Sequence, residues 1–323
     1  MPGAGVPALV ALAAARLGPR PPRPTMSPLP EEFTLRPVSR EQVATVLAPF
    51  LARLNREPER HIGYCDDTPE MMGDTLARLS PAPVDTFRLA FEGERLVGAF
   101  GFDTDARLGR AWLFGPQVEH EAWHAVADAL FAAVCPLLPE HVRELELYYD
   151  VRNTRCHEAA VRWGFTSAGD SYVLRFERGG MTEVPHETAE SLTPAHHEAL
   201  KELHHELWPV SWLTGEQLLE KQDENHRLLV LTEGPELLGY VFAKVQPEFG
   251  EGFIEHVAVA ERARGRGLGR KLVAAALRWM FSWDEVKVTH LVARAENEPA
   301  VRLYRGLGYQ VLHPMRAARR PIG

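Results

Sequence analysis

The stretch VAVAERARGRGLGRKL, residues 257–272, joins an apolar run to a glycine-rich turn and then to a helix-like segment. Glycine lets the backbone of such a turn approach a ligand closely. The unpaired N–H groups at the start of the following helix, together with its dipole, favour a phosphate. Residues 261–278 carry six basic side chains and one acidic side chain. The sequence therefore predicts a strand, a turn and a helix that bind a phosphorylated ligand.

Three other readings of the glycine-rich turn fit less well. No Gly-Lys-Ser/Thr follows the turn, so it is not a P-loop. A dinucleotide fingerprint opens a βαβ unit, whereas this turn follows the hairpin-like stretch RLLVLTEGPELLGYVF, residues 227–242. An RNA-binding tract would carry interleaved aromatic residues, which are missing here.

The chain repeats its pattern once. NTRCHEAAVRWGF at residues 153–165 resembles NEPAVRLYRGLGY at residues 297–309, and RLAFEGERLVGAF at residues 88–100 resembles residues 227–242. The same order at a nearly constant offset predicts two copies of one domain, each of about 145 residues. The alternation of hairpins, strands and helices predicts an α/β fold with a mixed sheet.

Two motifs in the second copy identify a family. Arg264, Gly267 and Gly269 spell R-x-x-G-x-G after an apolar strand, and residues 297–309 spell N-x-x-A-x-x-L-Y-x-x-x-G-[FY]. This combination resembles the GNAT superfamily of N-acetyltransferases over roughly residues 181–315, and the whole chain resembles a tandem GNAT protein. The resemblance implies two GNAT-like domains, each a mixed, mostly antiparallel sheet flanked by helices, with a splayed pair of parallel strands.

The resemblance also implies acetyl-CoA as a co-substrate and no metal. The pantetheine arm would pair with the strand backbone as an added strand, and the turn would hold the pyrophosphate. Asn297 would contact the arm, and Tyr304 would lie beside the sulfur. The cofactor-binding residues expected are Val257, Val259, Arg264, Gly265, Arg266, Gly267, Gly269 and Asn297.

Acetyl transfer from a thioester to an amine needs a base, because an alkylamine with a pKa near 10 is protonated at neutral pH. Glu255 is the candidate base, since it shares strand parity with Val257 and Val259 and a carboxylate inside a strand is unusual without a purpose. An edge-strand glutamate and an inter-domain ion pair are the alternatives. His256 is expected to face the other way unless a bulge shifts the register. Tyr304 is the candidate acid for the leaving thiolate.

The acceptor side is less defined. Trp208 and Trp212 lie in LWPVSWLTGEQLL, residues 207–219, the region that overlies the acceptor in the family that this sequence resembles. With His256 they are candidate substrate-binding residues, although core packing accounts equally well for the tryptophans. We expect a small-molecule or peptide amine as acceptor, and no motif identifies it. A non-catalytic acyl-CoA-binding sensor is the alternative function.

The stretch His120-Glu121-Ala122-Trp123-His124 spells H-E-x-x-H, the signature of zinc peptidases. Aligned on the second copy, it occupies the place of the glycine-rich turn, and the first copy has neither glycine nor arginine there. The same alignment places Ala160 opposite Tyr304. The extended pattern with a third histidine is also missing. The sequence therefore favours a degenerate first copy over a zinc peptidase.

Bulk composition limits the remaining function classes. The 323 residues carry a net charge of −8, which argues against a nucleic-acid partner, and no apolar run reaches the ~18 residues of a membrane span. Three separated cysteines predict a cytoplasmic protein without a disulfide framework. We expect a monomer or homodimer. The expected domains are a disordered extension over residues 1–30, a degenerate GNAT-like domain over 31–178, a catalytic GNAT domain over 181–315 and a basic tail over 316–323.

Overall fold

The computed structural model describes residues 31–185 and 189–322. These residues form two compact units. The first unit contains the described residues up to Asp170 and those from Pro314 onward, and the second contains the described residues of Ser171–His313. The extension expected over residues 1–30 lies outside the described residues.

The first unit holds five strands and six helices before the chain enters the second unit. Its strands are β1 (Phe33–Pro37), β2 (Arg88–Glu92), β3 (Arg95–Asp105), β4 (Arg110–Val118) and β5 (Glu144–Asp150). Its helices are α1 (Arg40–Gln42), α2 (Ala48–Asn55), α3 (Pro69–Ala77), α4 (Pro83–Thr86), α5 (Trp123–Val134) and α6 (Thr154–Arg162). A π-helical turn (Val43–Leu47) joins α1 to α2, and a 3-10 turn (Cys135–Leu137) follows α5.

The second unit begins inside the next strand and repeats the same order of elements. Its strands are the end of β6 (Thr166–Glu177), then β7 (Glu190–Ser191), β8 (His226–Glu233), β9 (Glu236–Gln246), β10 (Glu251–Val259), β11 (Val288–Arg294) and the start of β12 (Gln310–Pro321). Its helices are α7 (His197–Leu207), α8 (Gly215–Glu220), α9 (Leu268–Met280) and α10 (Glu298–Leu307). Short 3-10 turns occur at Arg178–Glu183, Pro194–His196, Pro247–Phe249 and Glu261–Ala263.

Each unit contains a mostly antiparallel sheet with one parallel pair, as the sequence predicts. The strand order is β1-β2-β3-β4-β5-β12 in the first unit and β6-β11-β10-β9-β8-β7 in the second. The parallel pairing of β10 with β11 stops after Ile254 and Leu291, and that of β4 with β5 stops after Trp112 and Glu146. Because β10 and β11 both continue beyond this point, the parallel strands splay, and the predicted fold class is confirmed.

The C-terminal strand corrects the expected tail. Residues 316–321 form the end of β12, whose Met315–Pro321 pairs antiparallel with Glu144–Asp150 of β5. Ala317 and Ala318 are adjacent and both buried there, because this segment pairs with β5 in the sheet of the first unit, whose two faces are both covered at this point. The units also divide between Asp170 and Ser171, within β6, rather than near residues 178–181.

The sheet of the second unit is covered on both faces. Alternate side chains of β9 point in opposite directions, so Val241 and Ala243 pack against α9, while Tyr240 and Phe242 pack against the α7 and α8 side. We call these the α9 face and the α7 face. No helix in the described part of the chain is long and apolar enough to cross a membrane.

Candidate active site

A cavity of about 900 Å³ lies in the second unit, between the separated ends of β10 and β11 and the starts of α9 and α10. Its volume falls within the roughly 300–1,000 Å³ of ordinary ligand sites. The expected cofactor-binding residues that line it are Val257, Val259, Arg264, Gly265, Gly267, Gly269 and Asn297, and the expected catalytic residues Glu255 and Tyr304 line it as well.

The glycine-rich turn is shaped by backbone requirements. Gly265 has φ +77° and Gly267 has φ +76°, a left-handed region in which residues other than glycine are strained. A Cβ on either glycine would meet no atom within 4 Å, so their backbone conformation, rather than crowding, calls for glycine. At Gly269 a Cβ would lie 3.0 Å from Leu303 Cδ1. No side chain of the described residues caps α9 at Gly267, so the first N–H groups of α9 suit an anionic ligand.

Several arginines near the turn already contact other groups. Arg266 Nη1 lies 3.1 Å from Glu233 Oε2, and Arg270 Nη1 donates to Gly306 O at 2.9 Å. Arg266 is the one expected cofactor-binding residue that does not line the cavity. In this arrangement the backbone of the turn, more than the arginine side chains, is presented to an anion.

Asn297 has a structural role that sequence reasoning did not separate from ligand binding. Its Oδ1 accepts from Ala300 N at 3.3 Å and caps α10. Asn153 caps α6 in the same way, accepting from Cys156 N at 3.1 Å. Helix capping therefore explains why both copies begin this helix with asparagine, while Asn297 also lines the cavity.

A β-bulge at Glu255 changes which side chains share a face. The β9–β10 register shifts between Ile254 and His256, so His256 pairs with Phe242 and lies on the α7 face. Glu255 contacts Lys244, which is two residues from Phe242 and therefore on the same face. The parity argument, which placed Glu255 with Val257 and Val259 and opposite His256, is wrong, because the extra residue resets the alternation.

Glu255 is buried and ion-paired. Its side chain is 2 % exposed, and its Oε1 lies 3.1 Å from Lys244 Nζ. The same ammonium lies 4.9 Å from the centre of the Phe253 ring. The glutamate is thus held at the bulge by an ion pair inside the second unit, next to the cavity, and not by a pair with the other domain.

Tyr304 presents a protonated phenol to the cavity. Its ring packs against the core on the α9 face and lies 6.1 Å from the Tyr309 ring. Burial raises the pKa of Tyr304 to about 12, since the phenolate would lose hydration. The hydroxyl therefore keeps its proton through neutral and mildly alkaline pH and is available as a donor.

The three candidate substrate-binding residues come together. Trp208, Trp212 and His256 all line the cavity, and the indole rings lie 5.1 Å and 6.3 Å from the His256 ring. Sequence reasoning missed Ser171 and the stretch Leu291–Arg294, which also line the cavity. The position of β11 beside β10 was the signal that could have identified the second group.

The H-E-x-x-H stretch does not form the helical pair of histidines that its spelling suggests. Helix α5 begins at Trp123, so His120 lies outside it. His120 Nδ1 accepts from Ala122 N at 3.0 Å, while His124 Nε2 lies 3.3 Å from Glu158 Oε2. The two imidazoles therefore face different partners and do not share the helical face on which such a zinc site is built.

The corresponding region of the first unit is a smaller cavity of about 390 Å³. Val118, Trp123 and Asn153 line it, at the end of β4 and the starts of α5 and α6. The residue before α5 is Ala122, with φ −75°, where the second unit has a left-handed glycine. Ala160, aligned with Tyr304, is buried. The first unit thus keeps the strands, the helices and the capping asparagine, but it has alanine where the second unit has the left-handed glycine before α9 and where it has Tyr304.

Comparisons with known proteins agree with this geometry. Residues 197–309 match the model of the Acetyltransferase (GNAT) family. A segment of 86 residues is 36 % identical to a mycothiol acetyltransferase of Pseudarthrobacter chlorophenolicus, covering 25 % of this chain and 26 % of that protein. The match thus spans about a quarter of the length of this curated relative.

Two solved structures resemble the chain over most of its length. A GCN5-related N-acetyltransferase from Sphaerobacter thermophilus has a TM-score of 0.70 and 18 % identity, covering 91 % of this chain and 96 % of that one. A tandem GNAT protein from the clavulanic acid biosynthesis pathway has a TM-score of 0.63 and 16 % identity, covering 90 % and 99 %. Residues 197–309 therefore match the GNAT family, and most of the chain has the fold of a tandem GNAT protein, as predicted.

Proposed function

We propose that the second unit is an acetyl-CoA-dependent N-acetyltransferase that moves an acetyl group to a primary amine by direct attack. The observation that carries this proposal is the convergence of the splayed strands, the left-handed glycine turn and buried acid–base groups on one cavity of about 900 Å³. The GNAT match covers the same segment, residues 197–309. A relative named as an acetyltransferase matches part of the chain, which supports the same chemistry.

The residues of the cavity fit acetyl-CoA, which when bound supplies an acetyl group activated as a thioester. The backbone of residues 264–269 offers N–H groups at the start of α9 for the pyrophosphate. The edge of β10 at Val257 and Val259, beyond its pairing with β11, can pair with the pantetheine arm. Asn297 lines the same cavity.

Glu255 and Tyr304 divide the proton transfers. The carboxylate of Glu255 takes a proton from the amine, directly or through water, so that the nitrogen can attack. The phenol of Tyr304 donates a hydrogen bond to the sulfur as the C–S bond breaks. A thiol in water has a pKa near 8.5, and burial raises it, which brings the acidity of the leaving thiol closer to that of the Tyr304 phenol.

The first unit is proposed as a support without cofactor chemistry, so that one acetyl-CoA binds per chain. The acceptor is a small-molecule or peptide amine. A cytoplasmic location, a monomeric or homodimeric state and the lack of nucleic-acid and membrane partners stay predictions from composition. The net charge of −8 favours a cationic amine over an anionic partner.

An amine screen with detection of free CoA thiol tests the function, together with Tyr304→Phe. We expect thiol release that requires an amine. Tyr304→Phe should keep the acetyl-CoA Kd within about twofold, because the ring stays, and lower kcat by roughly 10- to 10³-fold through loss of the donor. Tyr309→Phe is the matched control, since its hydroxyl contacts Thr289 at 3.1 Å and does not line the cavity. Acetyl-CoA binding without amine-dependent thiol release in any reaction would favour the acyl-CoA sensor.

A further inference from the structure

The cavity of the second unit contains a buried imidazole whose hydrogen-bonding capacity is not met. His256 is 4 % exposed and lines the cavity. Its Nδ1 is buried and has no hydrogen-bond partner among the described residues. A buried polar atom without a partner destabilises the fold, so a native protein that retains one commonly reserves it for a ligand or an ordered water.

The neighbouring His204 does not satisfy His256. The His204 ring lies 5.0 Å from the His256 ring, but both His204 nitrogens are already used. Its Nδ1 accepts from the Tyr240 hydroxyl at 2.5 Å, and its Nε2 donates to Leu213 O at 2.9 Å. No described residue bonds to His256 Nδ1, so its partner is an ordered water or a group of a bound ligand.

Aromatic surface surrounds this imidazole. Trp208 meets it edge to face, at 5.1 Å and 82°, and Trp212 lies nearly parallel to it, at 6.3 Å and 26°. Leu207 lines the same part of the cavity. Indole rings provide a large apolar surface to a carbon skeleton, so this end of the cavity offers packing together with one polar contact.

The charges near the imidazole do not suit a polycation. Two acidic residues line the cavity in the described part of the chain, and both face cations: Glu255 pairs with Lys244 at 3.1 Å and Glu296 with Arg294 at 3.2 Å. Burial lowers the pKa of His256 to about 3, so the ring is neutral at pH 7. A neutral imidazole can accept one N–H hydrogen bond, but it gives no compensation for further ammonium groups.

We propose that Trp208, Trp212 and His256 form the acceptor subsite and select a primary monoamine on an aromatic or apolar carbon skeleton. The amine N–H donates to the imidazole of His256, and the skeleton packs on the two indoles. This assignment rests on the proposed N-acetyltransferase function and names its substrate class. Acceptors with several ammonium groups or many hydroxyls find no matching partners here and are selected against.

Steady-state kinetics with four amines test the subsite. The probes are 2-phenylethylamine, hexylamine, spermidine and glucosamine, each at saturating acetyl-CoA. We expect the first two to have kcat/KM values at least ~10-fold above the others, the discrimination that a shaped apolar site achieves. Trp212→Ala and His256→Gln should each raise the KM for 2-phenylethylamine by about 10-fold or more, while the acetyl-CoA Kd from calorimetry stays within about twofold.

Controls distinguish failure of the acceptor-subsite proposal from failure of the proposed N-acetyltransferase function. His290→Gln is the matched variant, because His290 is a half-buried histidine on β11 that does not line the cavity, and it should leave the preference unchanged. Failure of acetyl-CoA to bind, or of every amine to release thiol, would overturn both proposals. If spermidine or glucosamine is used as well as 2-phenylethylamine, the subsite assignment alone is wrong. It is also wrong if the two subsite variants keep the wild-type KM while they still bind acetyl-CoA.

Discussion

Glu255 has two contacts to reconcile in the proposed reaction, in which the carboxylate pairs with Lys244 and also receives a proton from the acceptor. The Lys244 ammonium lies 3.1 Å from this carboxylate, and only 2 % of the Glu255 side chain is exposed. To act as a base, the carboxylate must accept the proton of the ammonium form and not only pair with its charge.

Glu255→Gln should therefore reduce the rate in a pH-dependent way. A typical alkylamine has a pKa near 10, so at pH 7 almost all of it is protonated and the base is needed most. The kcat/KM of the variant, relative to wild type, should be lowest near pH 7 and recover toward pH 9–10, where solution supplies the neutral amine. The measurement is a pH profile for both proteins with one amine.

A different profile would assign Glu255 another role. If Glu255→Gln raises the KM for the amine at every pH while kcat is intact, the carboxylate binds the charge of the acceptor and is not its base. Glu233→Gln is the matched control, since Glu233 pairs with Arg266 on the surface and should show no pH-dependent change.

Individual residues differ in how far the sequence predicts them. Gly265 and Gly267 are predictable, because a left-handed turn before a helix requires glycine locally. The sequence does not predict that Glu255 and His256 share a face, because this depends on a bulge that appears only when β10 is paired with β9. The Lys244 partner of Glu255 is likewise set by the register of two strands rather than by sequence spacing.

At the scale of elements, the strand–turn–helix from Glu251 to Met280 carries most of the proposed cofactor site. Helix α9 begins at Leu268 without a side-chain cap from the described residues, directly after the two left-handed glycines. In the first unit the helix begins at Trp123, after Ala122 with φ −75°. The sequence predicts this difference because glycine is present in one copy and missing in the other.

Gly267→Asp should abolish acetyl-CoA binding while the protein stays folded. An aspartate at φ +76° strains the turn modestly and sets a negative charge where the pyrophosphate would lie. We expect calorimetry to show an affinity loss on the order of 100-fold or more, from repulsion between like charges at short range.

The matched control for this substitution is Gly234→Asp. Gly234 also has a positive φ, +60°, with no atom within 4 Å of an added Cβ, and it lies in the β8–β9 turn outside the cavity. The Gly234→Asp variant introduces the same strain and charge away from the cavity, so its acetyl-CoA affinity should stay near that of wild type. Equal losses in the two variants would mean that a general effect, and not the phosphate site, explains the result.

At the scale of the whole molecule, the repeat is visible in the sequence, but the pairing of the last strands is not. Two motifs in the same order are enough to predict two copies. The last part of β12 nevertheless pairs with β5 in the first unit, while residues 171–177 of β6 pair with β11 in the second. A strand pattern predicts that a segment will pair, but not which strand it pairs with. The sequence therefore predicts residues 316–321 as part of a tail.

Arg319 connects this C-terminal strand to a buried network in the first unit. Its Nε donates to Glu146 Oε2, which also lies 3.4 Å from Arg110 Nη1. The Tyr64 hydroxyl donates to Glu146 Oε1 at 2.5 Å. Glu146 is fully buried and Arg319 is 5 % exposed. Removing one partner of such a network leaves a buried charge short of compensation.

Arg319→Met should therefore destabilise the first unit by about 2–4 kcal/mol, somewhat less than for an isolated buried pair because Arg110 and Tyr64 stay. Hydrogen exchange should show faster opening of the β5 amides, with an unchanged acetyl-CoA affinity in the second unit. Arg320→Met is the control on the same strand, since Arg320 contacts the Phe131 ring and lies outside the network, and it should cost under about 1 kcal/mol. Adding Glu146→Gln to Arg319→Met should recover part of the loss, because the uncompensated carboxylate is gone. Equal effects of the two arginine variants, or no recovery in the double variant, would show that the network does not hold the strand in place.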